Sequence, residues 1–201
     1  MRSLVAISAL LLVTACGSET GDSATDAGGS RPQMPTEIPA ADGPVTGLGT
    51  VLDGSADGAT GFCLGPIAES YPPQCDGMPI VGWNWADHRG DYDHGSDLKF
   101  GTFAVTGTFD GTTITAQSAV SGALYDPMPW PQPTSSAAEQ HSQAELEAIA
   151  GELNALPGAL TTMPGDNLVV VDVIHDDGSL QEWADEAYGE GLVFVHSMLA
   201  G

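Results

Sequence analysis

Between residue 44 and the C-terminus the pattern of the chain changes at residues 126–134, which read Asp-Pro-Met-Pro-Trp-Pro-Gln-Pro-Thr. Proline at every second position fixes φ and removes backbone donors, so this stretch can form neither a helix interior nor a central strand. We therefore predict an extended connector over residues 126–141, with one kind of structure before it and another after it.

Short runs punctuated by glycine fill the part of the chain before the connector. Their strand patterns cover residues 45–52, 60–64, 79–85, 103–109 and 112–116. The dipeptide Asp110-Gly111 separates the last two runs and is typical of two-residue hairpin turns. Several short strands with glycine bends predict a small curved β-sheet or OB-like barrel over about residues 45–120, with a sandwich as the alternative.

Helical spacing of apolar residues begins after the connector. Ser142 and Glu145 have the spacing of a capping box, and Leu156-Pro157-Gly158 is where this helix ends. Residues 168–174 then form a nearly continuous apolar run, which is typical of a strand covered on both faces.

The chain closes with a second helix and a second strand. Ser179 with Glu182 has the spacing of another capping box, and the helix it starts stops at Gly189. Residues 192–198 form the last strand, and the length of the connection allows a right-handed crossover between parallel strands.

These patterns predict an α+β fold in one compact body over residues 44–201. A β-rich unit with a disulfide occupies residues 44–125, and a helix followed by a strand–helix–strand unit occupies residues 142–201.

The N-terminus carries a targeting pattern. Arg2 precedes an apolar run over residues 4–15 without any acidic residue, and Cys16 follows Val-Thr-Ala. A positive start, a short apolar stretch and small residues form a secretory signal peptide, and the run is shorter than the roughly 20 residues that span a bilayer. The cysteine resembles a bacterial lipobox, so we expect residues 1–15 to be removed and Cys16 to carry acyl chains such as palmitate. The alternative is a secreted protein with Cys16 as a free thiol.

The cysteine count agrees with lipidation. The chain has 3 cysteines, and a lipid on Cys16 leaves Cys63 and Cys75 as a pair. Outside the cytoplasm such a pair usually oxidises, and its spacing lacks the short Cys-x-x-Cys of zinc sites. We predict a Cys63–Cys75 disulfide, preceded by a disordered tether over residues 16–43, which are polar and rich in Gly, Ser and Pro.

The segment from Cys63 to Cys75, CLGPIAESYPPQC, and the PIVGWNW that begins at Pro79 resemble a family of secreted lipoproteins from actinobacteria. The resemblance covers about residues 47–115. It implies an extracytoplasmic location and a disulfide, and it brings no activity, cofactor or catalytic residue. We expect the protein on the outer face of the cytoplasmic membrane, held there by its lipid.

The charge restricts the partners. The chain has 27 acidic residues against 4 basic ones, and its net charge is −23. Such a surface repels nucleic acids and anionic lipid headgroups, so a nucleic-acid function is excluded. Cationic groups, divalent metals, neutral small ligands and an envelope protein are the partners that the charge allows.

An acidic loop offers the first candidate site. Asp87, Asp91, Asp93 and Asp97 lie close in sequence, and calcium prefers several carboxylate oxygens. The spacing does not match an EF-hand, so the alternatives to a calcium site are a solvated loop and a histidine-containing transition-metal site.

Two further groups offer weaker candidates. Trp83 and Trp85 fall on one face of a predicted strand, where they either stack on a ligand or pack in the core. His175-Asp176-Asp177 lies at a strand end with Asp172 nearby, and the group is either an acid–base or metal site or ordinary turn structure.

No nucleophile elbow of the form Gly-x-Ser-x-Gly and no phosphate-binding glycine loop occurs in the sequence. We therefore expect a non-catalytic domain that binds a ligand or a partner. A calcium-binding lipoprotein and a carboxylate-based hydrolase are the alternatives.

Overall fold

The structure is a computed structural model that describes residues 31–54, 59–127, 129 and 133–201. The predicted signal peptide, Cys16 and the first part of the tether lie outside these residues. Within the described ranges the chain forms nine strands in two sheets and two α-helices, so the predicted α+β class is confirmed. Neither helix in this part is long and apolar enough to cross a membrane.

The first sheet closes into a barrel. Its strands are β1 (Pro44–Leu52), β2 (Gly61–Cys63), β3 (Met78–Val81), β4 (Asp93–Gly95), β5 (Leu98–Phe109) and β6 (Ile114–Ser121). Because β1 pairs with both β2 and β5, five strands form a ring in the order β1-β2-β3-β6-β5-β1. The β3–β6 pair is parallel, the other pairs are antiparallel, and β4 lies outside the ring on β5. The ring has the shape of the predicted small barrel, and the sandwich alternative is wrong.

Alternating side chains fill the barrel. Val45 and Val51 of β1 and Phe103, Val105 and Phe109 of β5 belong to one buried cluster. Side chains that lie between these positions in the strands face the outside of the ring.

The hairpin turns differ from the prediction. Phe109 pairs with Ile114, so the β5–β6 loop has four residues, and the Asp110 carboxylate accepts hydrogen bonds from the backbone of Thr112 and Thr113. These bonds favour the longer loop over a two-residue turn. A two-residue turn with positive φ at both positions occurs instead between β4 and β5, at Ser96 and Asp97.

The second sheet confirms the predicted strand–helix–strand unit. Its elements are α1 (Gln143–Leu153), β7 (Ala159–Pro164), β8 (Val169–Val173), α2 (Ser179–Tyr188) and β9 (Val193–Ser197). β8 and β9 are parallel, and β7 pairs with β8 in the antiparallel sense. The sequence analysis did not predict β7. An edge strand is hydrogen-bonded on one side only, so it does not need the strong apolar pattern by which buried strands are recognised.

The two helices begin differently. Ser142 and Glu145 form the predicted capping box of α1. The second predicted capping box is wrong, because Gly178 is the N-cap of α2 and Ser179 is already helical. The Asp176 carboxylate accepts from the backbone N–H of Gly178 and Leu180 and so replaces a serine cap.

The segment before β1 lies against the folded body. The carbonyl oxygen of Pro32 accepts from the Trp183 indole, and the carbonyl oxygen of Pro39 is 3.0 Å from His175 Nδ1. Ile38 packs against the barrel core. The prediction of a disordered tether therefore does not hold for residues 31–43, whose contacts are made by backbone carbonyls and by a few scattered side chains that composition cannot reveal.

Candidate functional site

A groove of about 580 Å³ lies on the outside of the barrel. Strands β1 and β5 form its floor, the loop closed by the disulfide forms one wall, and residues 90–93 form the other. A volume of this size is typical of sites that bind small molecules.

Two threonines lie at the floor. Thr50 of β1 and Thr102 of β5 are directly paired across the strands, and both line the groove. Because the neighbouring Val51 faces the core, Thr50 faces outward, yet the walls leave it only 9% exposed. No described residue forms a hydrogen bond with the Thr50 hydroxyl, whose oxygen is open to the groove rather than fully enclosed.

A disulfide joins the two ends of the first wall. Cys63 and Cys75 form the predicted disulfide, with their Cα atoms 6.3 Å apart. Between them Tyr71 is 72% exposed, and it lines the groove together with Ser70 and Pro73.

The Tyr71 side chain is held in place although it is exposed. Its hydroxyl donates a 2.9 Å hydrogen bond to the carbonyl oxygen of His94, and its ring meets the Phe100 ring edge-on at 5.4 Å. A Cβ atom on Gly95 would lie 3.0 Å from the ring, so glycine gives the ring room on β4. Tyr71 is therefore a fixed aromatic surface at the rim.

The second wall carries two of the four predicted carboxylates. Asp91 and Asp93 line the groove and are exposed, and neither carboxylate has a hydrogen bond or ion pair with any residue in the described part. Tyr92 lies between them and packs against Trp85 at 4.9 Å. The wall can lie on β5 because position 101 is glycine: a Cβ there would lie 2.8 Å from the Asp91 carbonyl oxygen.

The other two predicted carboxylates, those of Asp87 and Asp97, do not line the groove. Asp87 accepts from the Asn84 side-chain amide at 3.0 Å, and Asp97 belongs to the β4–β5 turn. Among the described residues, no group of three or more His, Cys, Asp or Glu side chains could hold a metal ion. The prediction that Asp87, Asp91, Asp93 and Asp97 form one calcium site is therefore wrong.

Of the two alternatives for the tryptophans, the structure shows packing in the barrel core. The predicted strand face is wrong, because β3 ends at Val81, before either tryptophan. Trp85 begins a 3₁₀ helix and is only 8% exposed, so it belongs to the barrel core. Trp83 is half-buried and stacks on the His88 ring, with centroids 4.2 Å apart. Neither indole lines the groove.

The candidate group at the end of β8 separates into structural parts. His175 is buried against Pro39 and Phe109, and Asp176 caps α2. Asp172 instead accepts from Thr161 and lies 2.9 Å from His196 Nδ1, which are its cross-strand neighbours. The acid–base interpretation of His175 with Asp172 is therefore wrong.

Ser96 and Lys99 have the Ser-x-x-Lys spacing of some serine enzymes. Here they lie in a β-hairpin, with Ser96 in its turn, and Lys99 Nζ is 3.8 Å from Asp53. The pair is therefore not arranged for catalysis.

The carboxyl groups with lowered pKa values lie outside the groove. Hydrogen bonds at turns and helix starts lower the pKa of Asp110, Glu145 and Asp177. These groups stabilise local structure.

The groove therefore presents acceptors: carboxylates, hydroxyl oxygens and aromatic faces. Sequence reasoning found Asp91 and Asp93 through their density of charge. It missed Thr50, Tyr71 and Thr102, because only the closure of the barrel and the folding of the disulfide loop bring them together.

Comparisons with protein-family models, curated proteins and solved structures find no match to the chain. The resemblance to secreted actinobacterial lipoproteins stays a prediction.

Proposed function

We propose that this chain is a lipid-anchored extracytoplasmic protein whose barrel groove binds a small ligand. The observation that carries the ligand-binding part is Thr50. The residue is only 9% exposed at the floor of an open groove, and its hydroxyl has no hydrogen-bond partner in the described part and stays accessible from the groove.

A hydroxyl that is accessible from the base of a groove and is bonded to no other described residue can donate a hydrogen bond to a ligand or accept one from it. The opposite Thr102 doubles the number of hydroxyl groups on the floor. Tyr71 supplies apolar contact above them, and its hydrogen bond to His94 keeps the ring ordered before any ligand arrives. Such preorganisation reduces the entropy lost on binding.

The lipid anchor rests on the sequence pattern and on the cysteine pairing. Cys63 and Cys75 form a disulfide, which leaves Cys16 as the remaining cysteine of the chain. The position of Cys16 after a signal-like run supports lipidation, and the disulfide supports an oxidising compartment.

The binding proposal is tested by screening neutral, cationic and anionic fragments against the purified full-length chain, with ¹³C-labelled threonine methyl groups as the readout. We expect binding fragments to shift the Thr50 and Thr102 signals, and Thr50→Val to weaken that binding. Thr108→Val is the matched control, because Thr108 is an exposed threonine on the same face of β5 outside the groove. If no fragment shifts the two signals, or if Thr50→Val has no effect, the proposal is wrong.

The location is tested separately with Cys16→Ala. We expect this variant to leave the membrane fraction, and we expect lipid mass on the native N-terminal peptide. Unchanged membrane retention, with no lipid on the native peptide, would contradict the anchor and leave the binding proposal standing.

A further inference from the structure

The charges that line the groove all have one sign. Among the described residues that line it, Asp91 and Asp93 are the only charged ones, and none is a lysine, arginine or histidine. An anionic ligand would meet both carboxylates, in a chain whose net charge is −23. The electrostatic field therefore excludes anions and attracts cations.

The basic residues of the described part do not neutralise these carboxylates. Lys99 lies beside Asp53, and Arg31 pairs with Glu152. Arg89, two residues before Asp91, is exposed and forms no ion pair in the part of the chain that the structure describes. The two charges are left for an external partner.

The rest of the groove also suits a ligand that donates hydrogen bonds. The Thr50 and Thr102 hydroxyl oxygens can accept N–H groups, and the exposed Tyr71 ring offers the negative face that attracts cations. A neutral sugar could donate hydrogen bonds here, but it would leave both charges uncompensated.

The size and the ligand set argue against a bare metal ion. The volume of about 580 Å³ is far larger than an ion needs, and no described group of three metal-binding side chains exists. Resting on the proposed function of the groove, we infer that its ligand is a small organic cation that carries an ammonium or guanidinium group. The cationic head lies between Asp91 and Asp93, and its body lies against Tyr71 and over the threonine floor.

The test uses agmatine, which carries both a guanidinium and an ammonium group, and methyl glucoside as a neutral probe of similar size. Binding to the full-length chain is measured by calorimetry at physiological salt and located by the threonine methyl signals. We expect agmatine to shift Thr50 and Thr102. The Asp91→Asn/Asp93→Asn double variant should weaken its binding by about tenfold or more, since charge-assisted hydrogen bonds are lost.

Glu182→Gln/Glu186→Gln is the matched control. It removes the same charge from two exposed positions of α2 outside the groove, and its binding of agmatine should stay unchanged. Equal weakening in both double variants would show unspecific charge attraction and overturn the inference. If methyl glucoside shifts the two threonine signals and agmatine does not, the inference is wrong while the proposed function stands. If no fragment or probe shifts them, both fail.

Discussion

The indole N–H of Trp85 donates a 2.8 Å hydrogen bond to the Asp53 carboxylate, which lies directly after β1. The same carboxylate accepts from the Thr60 hydroxyl and lies 3.8 Å from Lys99 Nζ. One side chain therefore connects the 3₁₀ helix, the start of β2 and β5. This explains why Trp85 belongs to the core rather than to a ligand-binding surface.

Replacing Asp53 with alanine should lower the free energy of unfolding by about 1–3 kcal/mol, because a buried indole N–H loses its acceptor. Urea unfolding of Asp53→Ala, Trp85→Phe and the double variant measures the coupling between the two residues. Asp126→Ala is the control, since Asp126 is exposed and has no hydrogen bond in the described part. If Asp53→Ala is as stable as this control, the hydrogen bond does not stabilise the fold.

The sequence allowed the barrel to be predicted because its local signals agree with its tertiary structure. Glycine punctuation and alternation along β1 and β5 mark strands that have one face on a core. The capping box at Ser142 was predictable for the same reason, since both of its partners lie within one turn. Signals of this kind need no knowledge of distant contacts.

The groove could be predicted only in part, because it depends on contacts between residues distant in sequence. Asp91 and Asp93 were visible as a dense acidic run. Thr50 and Thr102 look like any strand threonines until β1 and β5 pair, and Tyr71 lies 23 residues before the carbonyl group that holds it. The assignment of Trp85 failed for a related reason: its partner, Asp53, lies 32 residues away.

Removal of the disulfide should destabilise the whole barrel. The bond joins residues separated by 12 positions. Closing a loop of this size lowers the conformational entropy of the unfolded chain, which stabilises the folded state by about 3 kcal/mol. Cys63→Ser/Cys75→Ser should lose about that much in a denaturant titration. It should also weaken binding in the groove, because Tyr71 lies within the loop. Cys16→Ser keeps the pair and serves as the control, and equal stability of the two variants would contradict the expectation.

Asp110 should make stability depend on acid pH. Backbone hydrogen bonds from Thr113 and then Thr112 lower the pKa of Asp110 below its usual 3.8. When folding lowers the pKa of a carboxyl group, that group stabilises the protein at pH values above its pKa in the unfolded chain. This stabilisation is lost as the pH falls through the pKa of the folded protein.

Asp110→Asn keeps an oxygen acceptor for the turn but removes the titration. In urea unfolding, wild type should be more stable than the variant at pH 6, and the difference should narrow below about pH 3.8. Asp126→Asn provides the comparison, since no described residue bonds to the Asp126 side chain. A difference for Asp110→Asn that stays constant down to pH 2.5 would contradict the role of this carboxylate.

Tyr188 should ionise at a higher pH than an ordinary tyrosine. Burial, followed by the hydrogen bond that its hydroxyl donates to Glu152 and by the charge of Glu152, raises the pKa of Tyr188 to about 12, against a smaller opposing effect of Arg31. Because folding raises this pKa above its ordinary 10.0, the stabilisation is present below pH 10 and is lost as pH rises towards 12.

A titration of tyrosinate absorbance at 295 nm, with circular dichroism to follow the fold, should show a late component near pH 12. This component should be missing in Tyr188→Phe and retained in Tyr125→Phe. Glu152→Gln should move it to lower pH without bringing it to 10, since burial is the largest cause. If the late component survives Tyr188→Phe, the contact of Tyr188 with Glu152 does not control the titration.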